Sequence, residues 1–433
     1  MTASDDPFSG VFSRGAAAGL VDGSAWVQAM LDFEAGLARA SASVGLVPAD
    51  AAEAIAEACR AERFDIAAIG ADASGPGNPA APLIAALKAQ LPEAAAGYVH
   101  WGATSQDVID TAAMLLARRA LAPILNDAAA AARACARLAR DHRDTVMLGR
   151  TLLQQAVPIT FGLKAAGWLA GIKRARRELT RSAEDQIALQ FGGAAGTLAA
   201  LGEHAADVAT ALGNELGLPV AVLPWHTERT RPAAIAAALA LLTGSLGKVA
   251  RDVVLLAQNE VGEVRIAGGG GSSAMPHKRN PVAAVAVLAC ATRTPGLAAT
   301  LNGALIQEHE RAAGAWHAEW EPWSELLRLT GSAAAWSAEM LDGLEPDPER
   351  MHANLEAAGE LVMTESVVAA LAQETGPGRA REIVDDAVQR AADEGISPRR
   401  ALGQVPERAF APDCYLGQAR AFVDAALAEY GEG

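Results

Sequence analysis

The chain has 433 residues, of which 51% are hydrophobic but only 4% aromatic, and its formal net charge is -15. That acidity argues against a nucleic-acid or anionic-membrane partner, either of which needs a basic face. A small anionic substrate stays open, because a few local cations outweigh the global field at close range.

Alanine-rich, aromatic-poor sequence favours helix over sheet, so an all-α class is expected. Cys59, Cys135, Cys290 and Cys414 are scattered without a CxxC pair, which points to free thiols in a reducing compartment rather than a zinc ribbon. The opening MTASDDPFSG is acidic and has no basic start followed by an apolar run, so no signal peptide and a cytoplasmic location are expected.

In chain order, residues 26–44 carry Met30, Phe33, Leu37 and Ala40 at helical spacing, and Val47-Pro48 ends the run. A second helix is expected over 49–60, a Pro/Gly-rich loop over 70–82 and a short helix over 82–91. The pattern then changes to long rods. The first, 107–143, repeats Ile109, Ala112, Leu115, Leu116, Ala120, Ile124 and Ala128 at three- and four-residue steps, with Pro123 expected to bend it. The second is read as 151–181, ending in Lys173, Arg174, Arg176 and Arg177, which suit a helix C-terminus. Rods three to five are read as 233–266, 282–305 and 323–341, and short helices follow from about 347. Three parts result: 1–105, 106–346 and 347–433. The third rod is apolar around most of its circumference, and such helices are buried ones. One chain offers few rods to cover it, so burial by copies of itself, a homo-oligomer, is expected. Thr243, Ser245, Lys248, Arg251 and Asp252 interrupt it too closely for a membrane span.

Three clusters bear chemistry. In the first, HWGATSQD, Thr104 and Asp107 fit a capping box at the head of the first rod. The same helix N-terminus, with Ser105 beside it and His100 a turn earlier, is also a ready carboxylate site. In the second, GRTLLQQ, Thr151 and Gln154 lie three apart, placing both on one face of a helix. The third is the loop GGGGSSAMPHKRNP from Gly268, with Ser272, Ser273, Lys278 and Asn280, and downstream Glu308-His309-Glu310-Arg311. Four glycines cannot continue a helix cheaply, so a mobile active-site loop fits there. Lys278 stands out because lysine supplies only 5 of the 36 basic residues. No P-loop, dinucleotide fingerprint or HExxH is present, so neither cofactor nor metal is expected.

Together the clusters resemble the fumarase/aspartase superfamily, whose loop reads similarly to SSxMPxKxN; residues 272–280, SSAMPHKRN, match every fixed position. The resemblance covers essentially the whole chain. It implies a three-domain, all-α fold whose long central helices join those of other copies in a twenty-helix core. The assembly would be a homotetramer in which each active site draws its clusters from three subunits. It also implies addition or elimination beside a carboxylate, through an aci-carboxylate carbanion. Within the superfamily, the stretches YVHWGATSQD, GRTLLQQAVPITFGLKAAGW, PWHTERTRP and EHERAAGAWHAEW are most similar to the cycloisomerase branch. Its members lactonise 3-carboxy-cis,cis-muconate in the protocatechuate (β-ketoadipate) route of aromatic degradation, with no cofactor. Adenylosuccinate lyases, C–N lyases sharing SSAMPHKRNP nearly word for word, come second, and a non-catalytic scaffold of the lens-crystallin kind is a third reading. By resemblance Ser273 exchanges the carbon-bound proton, with Lys278 as its catalytic companion. Lys278 and Asn280 bind carboxylate, as do Thr104, Ser105, Thr151, Gln154 and Arg311, with His100 in the same substrate site.

One departure separates the readings. Lyases of the superfamily that expel an amine or water carry histidine after the threonine of the second cluster; here that residue is Leu152. Amine or hydroxide departure needs a delivered proton, worth roughly 10²–10⁴-fold in rate. A lactone oxygen leaves as a carboxylate, whose conjugate acid has a pKa of about 4, and needs none.

Overall fold

The computed structural model describes residues 7–267, 270–271, 275 and 278–431. The fold is all-α: helices carry the chain, and the strands among the described residues form three two-stranded antiparallel pairs. The chain packs as two compact units. One holds the residues up to Ala128 with Ala175–Gly247 and Ala286–Trp336; the other holds Ala129–Arg174, Lys248–Val285 and the residues from Ser337 on.

In the first unit, the helix Gly23–Ser43 begins where the Asp22 carboxylate accepts from the Ala25 N–H at 2.8 Å, satisfying one of the donors that a helix start leaves over. Val27, Met30, Leu31, Leu37 and Ala38 recur every three or four residues and are buried along one face. Gly36, on the opposite side of the helix, faces the helix Ala205–Leu216 and sets the approach: a Cβ there would lie 3.1 Å from Leu212 Cδ1 and 3.2 Å from Leu216 Cδ2.

Most expected helices form near their expected bounds, as Gly23–Ser43, Ala49–Ala58, Ala80–Ala89, Ser105–Asp141, Val282–Gly303 and Trp320–Asp342. Two expectations fail. The second rod does not begin at residue 151, because Val146–Thr151 and Gln154–Thr160 form a β-hairpin and the helix runs Phe161–Gln186. Val157, Ile159 and Thr160 are β-branched and favour the extended chain, while Pro158 is unfit for a helix interior. Thr160 then opens the rod, its hydroxyl accepting from the Leu163 N–H at 3.1 Å.

The third rod, Thr230–Leu256, stops ten residues short of 266. Gly262 takes φ +65°, and Val264–Ile266 pairs with Leu344–Pro346 instead. This rod and Val282–Gly303 are long and apolar enough to cross a membrane by length and composition. Most of the first is buried, although Leu241 is 52% exposed; the second leaves Val285 54% exposed.

The close approach at Gly36 makes the first unit's helix packing testable. Gly36→Val should destabilise the protein by about 1–3 kcal/mol in urea unfolding, because the added methyls must displace both leucines. An unchanged midpoint would show that Leu212 and Leu216 give way freely.

Candidate active site

The first rod buries its opening turns although they carry polar and acidic side chains: Gln106, Asp107, Asp110 and Thr111 are all buried. A buried carboxylate must be given partners, and each of these is. Asp107 Oδ1 accepts from Gln190 Nε2 (3.0 Å), the Gly192 N–H (2.9 Å) and His226 Nε2 (2.8 Å). Its Oδ2 accepts from the Gly193 N–H (2.8 Å) and the Thr104 N–H (3.1 Å). The last bond is the carboxylate half of the expected capping box. Glycine is required where the loop meets Asp107: at Gly192 a Cβ would lie 2.7 Å from Pro224 Cβ and 2.8 Å from His226 Cε1, and Gly193 takes φ +68°.

One helical turn on, Asp110 faces Arg229. Arg229 Nη1 and Nη2 donate to the Asp110 carboxylate at 2.7 and 3.0 Å, and its Nε and Nη2 donate to Glu319 at 3.0 and 2.5 Å. Trp316 Nε1 adds a bond to Asp110 at 2.9 Å, and the Trp225 ring lies 5.0 Å from the guanidinium carbon. One cation shared by two buried carboxylates leaves the triad net negative. Burial opposes the Arg229 charge, but Asp110 and Glu319 together hold its pKa above the ordinary arginine value. Burial raises the Glu319 carboxyl, with Asp110 adding to it, against the pull of Arg229. The two directions agree with one cation serving two carboxylates.

Arg311 joins this network. Its Nη1 donates to Gln106 Oε1 at 3.2 Å and its Nη2 to the Ala194 carbonyl at 2.9 Å. Gln106 cannot turn away, since its Nε2 is committed to Asp110 Oδ2 at 3.0 Å and the His226 carbonyl at 2.7 Å. Two bonds leave guanidinium donors of Arg311 over for a ligand. Thr104 and Ser105 stand half-buried at the rod's head, and neither hydroxyl is engaged by a hydrogen bond among the described residues. His309, two residues before Arg311, takes φ +46°, and its carbonyl accepts from Thr227 Oγ1 at 2.9 Å.

In the second unit Thr151 and Gln154 share a face, but not as helix neighbours. They pair directly across the hairpin, and opposite residues of an antiparallel pair project to the same side. Between them Leu152 and Leu153 take φ +50° and +65° and are 96% and 73% exposed. Two positive φ values are what a tight hairpin turn demands, a demand that Asn and Gly normally meet. Below the hairpin, Arg150 makes a two-pronged ion pair with the buried Glu263, at 2.9 and 2.7 Å, and Asn354 Nδ2 donates to the same carboxylate at 2.8 Å.

The glycine loop is closed by pairing of Gly270 with Asn280 and Gly271 with Arg279, and the Lys278 N–H donates to the Met275 carbonyl at 3.0 Å. Lys278 is exposed and Asn280 half-buried. Ser272, Ser273, Pro276 and His277 lie outside the described residues. His100, Thr104, Ser105 and Arg311 therefore belong to the first unit, and Thr151, Gln154, Lys278 and Asn280 to the second. No hydrogen bond or ion pair among the described residues joins Thr151 or Gln154 to Lys278 or Asn280. Among the described residues, no group of three or more His, Cys, Asp or Glu side chains is placed to hold a metal.

The lyase family matches residues 4–296. The chain belongs to this family, part of the fumarase/aspartase superfamily. It is 49% identical to the 3-carboxy-cis,cis-muconate cycloisomerase of Bradyrhizobium diazoefficiens over 94% of each chain. It is 46% identical to the nitrosuccinate lyase of Streptomyces davaonensis, covering 94% of this chain and 91% of that one. The crystal structure of the 3-carboxy-cis,cis-muconate lactonizing enzyme from Pseudomonas putida superposes with a TM-score of 0.92 at 42% identity, covering 98% and 99% of the two chains.

Within this superfamily member the carboxylate network was not singled out by sequence reasoning, which took Asp107 as a cap and left Asp110, His226, Arg229 and Glu319 without a role. The available signal was two aspartates three apart on the apolar face of a rod. Removing Arg229 strands two buried carboxylates, so Arg229→Met should cost about 3–5 kcal/mol in urea unfolding, and Glu319→Gln on that background should recover part of it. A carboxyl whose folded-state pKa is raised contributes stability at low pH and loses it as pH rises through that pKa. Without Arg229 the Glu319 carboxyl loses the partner that lowers it, so its folded-state pKa rises further and the variant loses more stability than wild type as pH rises. The deficit of Arg229→Met should therefore be larger at pH 7 than at pH 5, and a deficit independent of pH would contradict the charge argument.

Proposed function

We infer that this chain is a cycloisomerase that converts 3-carboxy-cis,cis-muconate to 4-carboxymuconolactone. The observation that carries this over a C–N lyase is Leu152, an aliphatic side chain where amine- and water-expelling relatives carry an acid. Relatedness of 49% over 94% of the chain to a cycloisomerase supports it.

In the proposed reaction one substrate carboxylate oxygen bonds to an alkene carbon of the same molecule. The alkene electron pair moves onto the neighbouring carboxyl as an aci-carboxylate, and one proton then adds to the carbon between them. Both partners belong to one molecule, so catalysis consists of folding it into the attack geometry and stabilising the new charge. Ser273 delivers the proton. Lys278, Asn280, Thr104, Ser105, Thr151, Gln154, His100 and Arg311 bind the three carboxylates. For Arg311 the support is the fixed Gln106 amide, whose oxygen orients the guanidinium. For Thr104 and Ser105 it is their unengaged hydroxyls beside a helix N-terminus.

The same reading includes a cytoplasmic homotetramer with a twenty-helix core, active sites shared between subunits and the three-part layout 1–105, 106–346 and 347–433. Supporting it, Leu241 and Val285 expose apolar surface on long helices that a single chain leaves uncovered.

The purified protein should consume 3-carboxy-cis,cis-muconate, followed as loss of diene absorbance, and leave adenylosuccinate intact. Nitrosuccinate belongs in the same panel because a relative 46% identical is named for it. Ser273→Ala should lose about 10²–10⁴-fold in kcat, whereas Arg311→Ala should chiefly raise KM. Brisk cleavage of adenylosuccinate without muconate turnover would overturn the assignment.

A further inference from the structure

Glu34 lies in the middle of the apolar face of the helix Gly23–Ser43, and only 1% of it is exposed. Its Oε1 is 2.7 Å from His100 Nδ1, while Oε2 is buried with no hydrogen-bond partner among the described residues. A carboxylate with one oxygen stranded in an apolar core is costly, and such groups persist where a cation compensates them or function requires them. The ring of His100 is the group in contact.

An ionised carboxylate only accepts hydrogen bonds, so Glu34 requires the proton on Nδ1. Nε2 makes no hydrogen bond among the described residues and is the nitrogen left for a ligand. The backbone is committed to this arrangement: His100 takes φ +66°, a sparsely populated region for a side-chain-bearing residue. Four residues on, Thr104 and Ser105 carry their unengaged hydroxyls at the rod's head. The proton count matters because the substrate is a polyanion. A neutral ring protonated at Nδ1 presents a lone pair at Nε2, which repels a carboxylate; the doubly protonated ring presents a charged donor.

We propose that Glu34 is a positioning residue for the lactonisation: it fixes His100 with Nδ1–H inward and balances the charge of the doubly protonated ring, so that Nε2–H donates to a substrate carboxylate. This rests on His100 being a substrate-binding residue. A histidine so backed differs from a bare one in the way that metal-ligating histidines do when their second nitrogen is held by a carboxylate.

The test is a double-mutant cycle on the full-length protein with 3-carboxy-cis,cis-muconate as substrate, using Glu34→Gln, His100→Asn and the pair. Each single variant should raise KM roughly 10- to 100-fold, the size of a lost charge-assisted hydrogen bond, with kcat within about threefold of wild type. The pair should be no worse than His100→Asn alone, since Glu34 acts through His100; a residue that merely supports the fold would add its own loss. A raised KM in His100→Asn beside an unaltered Glu34→Gln, or additive losses, would overturn the proposal and leave the reading of His100 standing. Wild-type KM in His100→Asn would remove that reading and the proposal with it. Thermal unfolding checks that the variants fold. Should Glu34→Gln not fold, Glu34→Asp, which keeps the charge but shortens the reach, serves in the same cycle and is judged by the same additivity.

Discussion

The buried carboxylate of Asp107 is the constraint on which the polar interior of the first unit depends. Five donors from three stretches of chain converge on its two oxygens: the Thr104 N–H, the Gln190 side chain with the Gly192 and Gly193 N–H groups, and the His226 ring. A carboxylate has about four lone-pair sites, so this one is saturated. Losing a donor would leave a buried charge short of partners, which costs more than the bond itself contributes. The Gly192–Gly193 turn, the head of the first rod and the chain at His226 are thereby fixed to one point. Asp110 repeats the logic with a cation, and Gln106, held by Asp110 and the His226 carbonyl, relays the order outward to Arg311. A guanidinium held by a glutamine that cannot rotate is oriented before any ligand arrives, which lowers the entropic cost of binding one.

The helical rods were legible because their signal is redundant. The first repeats apolar residues over many turns, and no single side chain decides it; Pro123 lies inside Ser105–Asp141 without ending the helix. The hairpin at 146–160 was not legible because its turn has the wrong residues. Leu152 and Leu153 are good helix formers, and nothing local announces that both adopt positive φ. The strands on either side and the start of the true helix at Phe161 override that preference. The early end of the third rod has a similar cause. Val261 to Ile266 continues the apolar run, but three of its six residues are β-branched, Gly262 adopts positive φ and the buried Glu263 is held by Arg150 and Asn354.

The candidate site was legible where a contiguous motif carried it and illegible where the fold assembles it. HWGATSQD, GRTLLQQ and the glycine loop each announce themselves by unusual residue types in one short window. His226 and Arg229 share one window far from the first rod and Glu319 lies in another, and each taken alone is an ordinary polar residue. Their partners Asp107 and Asp110 did offer a sign, since acids rarely sit on the core face of a rod without compensation. Glu34 is the harder case: one acid among apolar neighbours in a helix reads as a surface position until the fold brings His100 to it. Thr151 and Gln154 illustrate a conclusion that survives a wrong premise. Their shared face comes from cross-strand pairing rather than helical spacing.

Chemistry and structure meet at residue 152. An enzyme that expels an amine must bring a proton to the departing nitrogen, and the residue that brings it must sit on a backbone stiff enough to aim it. A cycloisomerase has no such departing group. The oxygen that bonds and unbonds is a carboxylate oxygen, already stable as an anion at neutral pH. What the reaction demands instead is charge held in place: donors oriented toward the carboxyl that becomes the aci-form, before the charge develops. The first unit holds a guanidinium and a helix N-terminus in fixed orientation before any ligand arrives, Arg311 by Gln106 and the rod's head through Asp107. A leucine at the hairpin tip removes nothing from that arrangement, whereas a leucine in place of Arg311 would leave the Gln106 oxygen without its guanidinium donor.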